Sequence, residues 1–161
     1  MCFKTTVHCL YTIRRKTLAS LGRHVILELW GCCKATIDNV NAVKEILVKA
    51  TEITKANLVD VMCHRFSPYG VTGVAILAES HISVHTWPEY GYAAVDIFIC
   101  SNAINPQNAA SYIAQAFHAK ETSIAELKRG NFLTRKMQNN KSLEIHADTI
   151  DSQSPLYLQS K

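Results

Sequence analysis

The chain has 161 residues, 48% of them apolar and 19% charged, which is enough to bury one core in a single domain or a compact half of a dimer and too little for a multidomain machine. Its formal charge of +4 sits at one end: residues 1–27 carry Lys4, Arg14, Arg15, Lys16 and Arg23 with no acid, and 12 basic residues face 13 acidic ones beyond them. A near-neutral body without basic residues interleaved with aromatics argues against a nucleic-acid partner, and no apolar run approaches the roughly 18 residues that a membrane-spanning helix needs.

In chain order, residues 1–20 form an acid-free lead with a transit-peptide flavour but no secretory-signal order, so a flexible extension is expected. Gly22 to Trp30 (GRHVILELW) is β-branched and aliphatic, stops at Gly31 and predicts a strand. Asp38 is placed to cap a helix in which Val40, Val43, Leu47 and Ala50 recur at helical spacing as far as about Lys55. Four further strands follow, at Leu58–Phe66, Val71–Glu79, His81–Trp87 and Tyr92–Cys100, separated by the turn-formers Ser67-Pro68-Tyr69-Gly70 and Pro88-Glu89-Tyr90-Gly91. Asn105 and Pro106 open a second helix with Ala109, Ala110, Ile113 and Phe117 inward, before a last strand near Ile124 to Lys128. The sequence thus predicts an α+β fold, a two-layer sandwich of an antiparallel sheet with two helices on one face. The domain spans 21–132, and the polar stretch 133–161 is expected to be a flexible tail.

Six cysteines (Cys2, Cys9, Cys32, Cys33, Cys63 and Cys100) are even in number, yet a chain with an apolar core and no signal needs no disulfide framework, so reduced thiols are expected. His8-Cys9 and Cys63-His64 lack the spacings of a zinc site, and no metal is expected.

Taking every second residue separates two faces of the sheet. Ile82, Val84 and Thr86 share one side with Ala93, Val95, Ile97 and Ile99. His81, Ser83, His85 and Trp87 share the other with Tyr92, Ala94, Asp96, Phe98 and Cys100. The first side suits helices; the second mixes ionisable and aromatic groups and suits a site or a subunit interface, or else a wetted sheet face.

The densest reactive cluster is Glu79-Ser80-His81-Ile82-Ser83-Val84-His85-Thr86-Trp87-Pro88-Glu89, with Cys100 on the adjoining strand. No Gly-x-Ser-x-Gly elbow surrounds Ser80 and no third triad member is evident, so ordinary hydrolase catalysis fits poorly. Five positions is an odd step along a strand, so Ser80 and His85 cannot be regular neighbours on one face. Ser80 is therefore expected in the bend before the strand, where a strained backbone carbonyl suits a self-cleaving site.

Three blocks resemble the prokaryotic pyruvoyl-dependent S-adenosylmethionine decarboxylase proenzymes: LGRHVILELWGC, CHRFSPYGVTGVAILAESHISVHTWPEYGYAAVDIFIC and AELKRG, together covering roughly Leu21 to Asn131. The resemblance implies autocatalytic cleavage between Glu79 and Ser80 through an N-to-O acyl shift followed by elimination, which leaves Ser80 as a covalent pyruvoyl group. It assigns His85 as the processing base, Thr72 as a processing hydroxyl and Cys100 as the proton donor in decarboxylation. It assigns Phe66, Trp87 and Glu89 to binding the substrate, S-adenosylmethionine. The pyruvoyl ketone that the resemblance implies would condense with the substrate amine and serve as an electron sink, which no standard side chain can do. The product that the resemblance implies is decarboxylated S-adenosylmethionine, the aminopropyl donor of spermidine biosynthesis. The family also implies a cytoplasmic homodimer of cleaved protomers whose polar sheet faces meet in an αββα arrangement, with sites at the seam. One departure stands at the donor: relatives commonly place threonine before it and glycine after it, where this chain reads Ile99-Cys100-Ser101-Asn102.

Two alternatives accompany this reading. One is a pyruvoyl-dependent decarboxylase of the same family acting on arginine or ornithine; the other is an unprocessed, inactive regulatory homologue.

Overall fold

A computed structural model describes residues 20–130. The extension 1–20, apart from Ser20, and the tail 133–161 lie outside the described residues. Six strands form one sheet: β1 (Gly22–Trp30), β2 (Leu58–Arg65), β3 (Val71–Leu77), β4 (Ser80–Trp87), β5 (Tyr92–Ile99) and β6 (Glu121–Arg129). Their order is β2-β3-β4-β5-β1-β6, with every neighbour antiparallel. β2 to β5 run as the expected meander. The first strand then inserts between β5 and β6, with Val25 opposite Ile97 and Leu27 opposite Val95.

Burial follows the period-two alternation of the strands. Val25, Leu27, Leu29, Ile82, Val84, Ala93, Val95, Ile97 and Ile99 are essentially inaccessible. They pack under α2 (Val40–Thr54) through Val43, Leu47 and Ala50, and under α3 (Pro106–Ala116) through Ala109, Ala110 and Ile113, with Phe117 closing the layer. Asn105 Oδ1 accepts the N–H of Gln107 at 3.2 Å, so α3 begins where Asn-Pro predicts.

The start of α2 differs from expectation. Its cap is Asn39, whose Oδ1 accepts from the N–H groups of Asn41 (3.0 Å) and Ala42 (3.1 Å). Asp38 instead closes an additional short helix, α1 (Lys34–Ile37), and its carboxylate accepts from Arg65 Nη2 at 2.8 Å and the Gly70 N–H at 3.0 Å. Two capping residues stand side by side; the neutral amide satisfies the helix and leaves the charged one for a guanidinium, the stronger pairing.

β6 is also longer than the predicted five residues. It is an edge strand exposed along its whole length, so no burial alternation marks its ends. The helix-free face of the sheet carries His24, Ile26 and Glu28 of β1, Thr72, Val74 and Ile76 of β3, and the two polar rows of β4 and β5. The cysteines Cys32, Cys33, Cys63 and Cys100 are free. Among the described residues no helix is long and apolar enough to cross a membrane.

Candidate active site

β3 and β4 are joined by the two residues Ala78 and Glu79, with Leu77 paired to Ser80. Ser80, expected in the bend before the strand, is instead the first residue of β4, paired with Leu77 on one side and Ile99 on the other; the irregularity appears in its backbone, whose φ of 141° lies in a region that residues bearing a Cβ rarely enter. Its Oγ lies 3.3 Å from His81 Nδ1. The carbonyl oxygen of Glu79, one half of the Glu79–Ser80 peptide bond, accepts the backbone N–H of Cys100 at 2.9 Å. The Glu79 carboxylate is anchored separately, accepting from the Asn57 N–H (3.1 Å) and Nδ2 (2.7 Å); the Asn57 N–H is the main reason its carboxyl titrates below the usual range. Cys100 is exposed, directly after buried Ile99. At the departure from the family pattern, Ser101 Oγ accepts the Ala103 N–H at 3.2 Å, so the side chain that replaces glycine serves the turn.

The opposite end of β4 holds a second cluster. Thr72 and His85 are cross-strand partners, and Thr72 Oγ1 lies 2.8 Å from His85 Nδ1. They share a cavity of about 480 Å³ with Phe66, Tyr69, Trp87 and Glu89. Phe66 is half exposed and stands edge-on to His64 at 4.9 Å. Its N–H donates to the Gly70 carbonyl at 2.8 Å, and Asp38 holds Gly70 from behind. Trp87 lies 6.4 Å from the His85 ring and 5.3 Å from that of Tyr92. The Tyr92 hydroxyl donates to Glu28; burial first, and then that carboxylate, push its pKa up to about 12. Lys34 Nζ donates to the Glu89 carbonyl at 3.2 Å, fixing the turn that bears Glu89.

The structure therefore brings the eight candidate residues together as two groups. Glu79, Ser80 and Cys100 meet at one end of β4, and Phe66, Thr72, His85, Trp87 and Glu89 gather at the other. At about 3.3 Å per residue, five steps of extended strand separate Ser80 from His85 by roughly 17 Å. Three side chains at these clusters had been given no role in the site: His81, named only within the reactive stretch, against the Ser80 hydroxyl; Asn57 beneath Glu79; and Asp38, expected only as a helix cap, behind the Phe66 loop. His81 adjoins Ser80 in sequence and was readable as a partner; the other two depend on contacts from distant elements. Among the described residues no group of three or more His, Cys, Asp or Glu side chains is placed to hold a metal ion.

Residues 23–130 match the family model described as S-adenosylmethionine decarboxylase. The chain belongs to that family. Proteins named S-adenosylmethionine decarboxylase proenzyme are similar to it across the same region. One from Methanococcus aeolicus is 49% identical over 113 residues, covering 70% of this chain and 97% of that protein. One from Thermoanaerobacter sp. (strain X514) is 44% identical over 113 residues, covering 70% and 91%. The crystal structure of the adenosylmethionine decarboxylase from Aquifex aeolicus superposes with a TM-score of 0.66 at 34% identity, covering 70% of this chain and 93% of that one. The α+β fold of this S-adenosylmethionine decarboxylase family member, with its six-stranded antiparallel sheet, agrees with that likeness, and so does the expectation drawn from the three sequence blocks.

Proposed function

We propose that the chain is a cytoplasmic proenzyme that cuts itself between Glu79 and Ser80 and then decarboxylates S-adenosylmethionine for spermidine biosynthesis. The observation that carries this reading is the Glu79–Ser80 corner. A serine hydroxyl follows a carbonyl that is polarised by the Cys100 N–H at 2.9 Å, and the serine backbone sits at φ 141°. Scission relieves that backbone, and the donor already on the carbonyl oxygen stabilises the negative charge that develops when Ser80 Oγ attacks the carbon.

The corner also fits the pyruvoyl group that the family implies. Ser80 is only partly buried, so a carbonyl formed there is open to an amine substrate. Once present, that group supplies the electron-withdrawing carbonyl that accepts the electron pair released with CO₂. The Cys100 thiol, on the neighbouring chain segment, returns a proton to the substrate carbon. Phe66 and Trp87 offer aromatic faces to the adenine and the sulfonium, and Glu89 offers a carboxylate to the ribose hydroxyls. These three side chains sharing one cavity support S-adenosylmethionine over arginine or ornithine, neither of which carries a ring to stack. A processing corner and a Thr72–His85 pair together speak against an inert regulatory homologue.

His85, roughly 17 Å along the strand from Ser80, cannot reach the Ser80 α-proton within a single protomer. The active form is accordingly a homodimer. Stacking two helix-free faces about a two-fold axis with β4 strands antiparallel brings the Ser80 end of one protomer over the Thr72–His85 end of the other. Exposed Met62, Ile76 and Leu127 point to a covered face. His85 of the partner subunit then removes the Ser80 α-proton in the elimination, with Thr72 setting the imidazole.

The test is a denaturing gel beside an assay of CO₂ release from S-adenosylmethionine. The parent chain runs as two fragments and releases CO₂, Ser80→Ala stays whole, and Cys100→Ala splits but decarboxylates poorly. A single full-length parent band after long incubation contradicts the reading.

A further inference from the structure

Resting on that proposed scission, the geometry points to His81 as the base that takes the Ser80 hydroxyl proton in the acyl shift, a role separate from that of His85. Four observations carry this. Ser80 Oγ lies 3.3 Å from His81 Nδ1, whereas His85 in the same protomer is several strand residues away with its own Nδ1 engaged by Thr72. The His81 ring is positioned from the side: it stands edge-on to Phe98 at a centroid distance of 6.0 Å and an interplanar angle of 71°. Phe98 in turn lies over Gly22, where an added Cβ would come within 2.6 Å of the Phe98 ring, so glycine is needed for the ring to sit there. Finally, the electrophile is already oriented, with the Glu79 carbonyl on the Cys100 N–H. Nucleophile, base and oxyanion donor therefore stand together at one end of one protomer.

The acyl shift balances without any outside reagent. His81 Nδ1 takes the proton of the Ser80 hydroxyl while Oγ bonds to the Glu79 carbonyl carbon. As the C–N bond then breaks, the same imidazolium returns the proton to the departing Ser80 nitrogen, leaving a Glu79–Ser80 ester and a free amine. His81 needs Nδ1 unprotonated at the start, so its ring carries hydrogen on Nε2. The later elimination removes a different proton, on the Ser80 α-carbon, and falls to the partner subunit's His85.

This division of labour is tested with newly translated full-length chains followed on denaturing gels, with and without hydroxylamine, which cuts esters. The key variant is His81→Asn, whose amide replaces Nδ1 as a hydrogen-bond partner but cannot accept a proton. His81→Asn is expected to split at least about a hundredfold more slowly than the parent, the scale of a lost general base, and to yield no hydroxylamine-dependent fragments. His85→Ala is expected to accumulate the ester and be cut by hydroxylamine. If His81→Asn does not fold, as judged by circular dichroism, His81→Gln is read in its place. Scission of the folded variant at the parent rate overturns the assignment, and so does hydroxylamine cleavage as fast as in His85→Ala. A parent chain that never splits refutes the proposed function itself; a parent that splits while His81→Asn keeps pace refutes only the role of His81.

Discussion

Across the β3–β4 ladder, Thr72 Oγ1 stands 2.8 Å from His85 Nδ1. A hydroxyl at that distance fixes which imidazole nitrogen is free and where the ring points. Replacing Thr72 with Val keeps the β-branched packing and removes that contact; at about 1 to 1.5 kcal/mol for such a bond, scission should slow by roughly tenfold. Thr72→Ser should restore most of the rate. Gel time courses of the three chains decide, and equal rates for Val and Thr would remove Thr72 from the processing machinery.

The separation of the two clusters along β4 makes a stronger prediction. When Ser80→Ala and His85→Ala chains are expressed together, each mixed dimer should contain one complete composite site. The His85→Ala chain should then be cut, although neither variant is cut alone. Tagging the two chains differently reads this directly, and a mixed preparation with both chains whole would place the site within one protomer.

Asp38 holds the loop that carries Phe66. Its carboxylate accepts from Arg65 and from the Gly70 N–H, and the Arg65 guanidinium is the leading cause of its lowered pKa. Gly70 itself has φ 102°, and an added Cβ would lie 2.8 Å from the Thr86 carbonyl oxygen. The loop therefore has little freedom to compensate. Asp38→Ala should raise KM about tenfold, the worth of one charge-assisted hydrogen bond, with kcat nearly unchanged. Steady-state kinetics separate the two parameters, and a fall in kcat alone would refute this role.

How far the sequence carried depended on whether the deciding contact was local. The alternation in β4 and β5 correctly divided buried Ile82, Val84, Val95 and Ile97 from the histidine-bearing face, because period-two burial is written in consecutive residues. Asn105-Pro106 marked its helix for the same reason. The choice of Asn39 over Asp38 as the cap of α2 was not legible, since it depends on Arg65 arriving from β2, 27 positions away. The insertion of β1 between β5 and β6 left no local trace either. Each candidate at the site was named from its motif, but their segregation to two ends of one strand required the β3–β4 register.

Glu126 on the edge strand gives the fold an acid-sensitive contact. Arg23 donates to it through Nε at 2.7 Å and Nη2 at 3.0 Å, and that pairing, helped by Gln107, lowers its pKa from 4.5 to about 2. On acidification the unfolded chain takes up this proton before the folded one does. The stabilisation is therefore complete above pH 4.5 and is lost between 4.5 and about 2. Arg23→Gln should lower Tm at neutral pH, and the gap from the parent should close across that acidic window. Melting curves collected across it test the assignment, and a gap independent of pH would contradict it.

The measurement that bears most directly on self-processing is the intact mass of the purified protein under denaturing conditions. The account predicts two species, one ending at Glu79 and one beginning at residue 80 and lighter by one ammonia than a fragment with a serine amino terminus. A single unbroken chain, or a second fragment at the full serine mass, would contradict it.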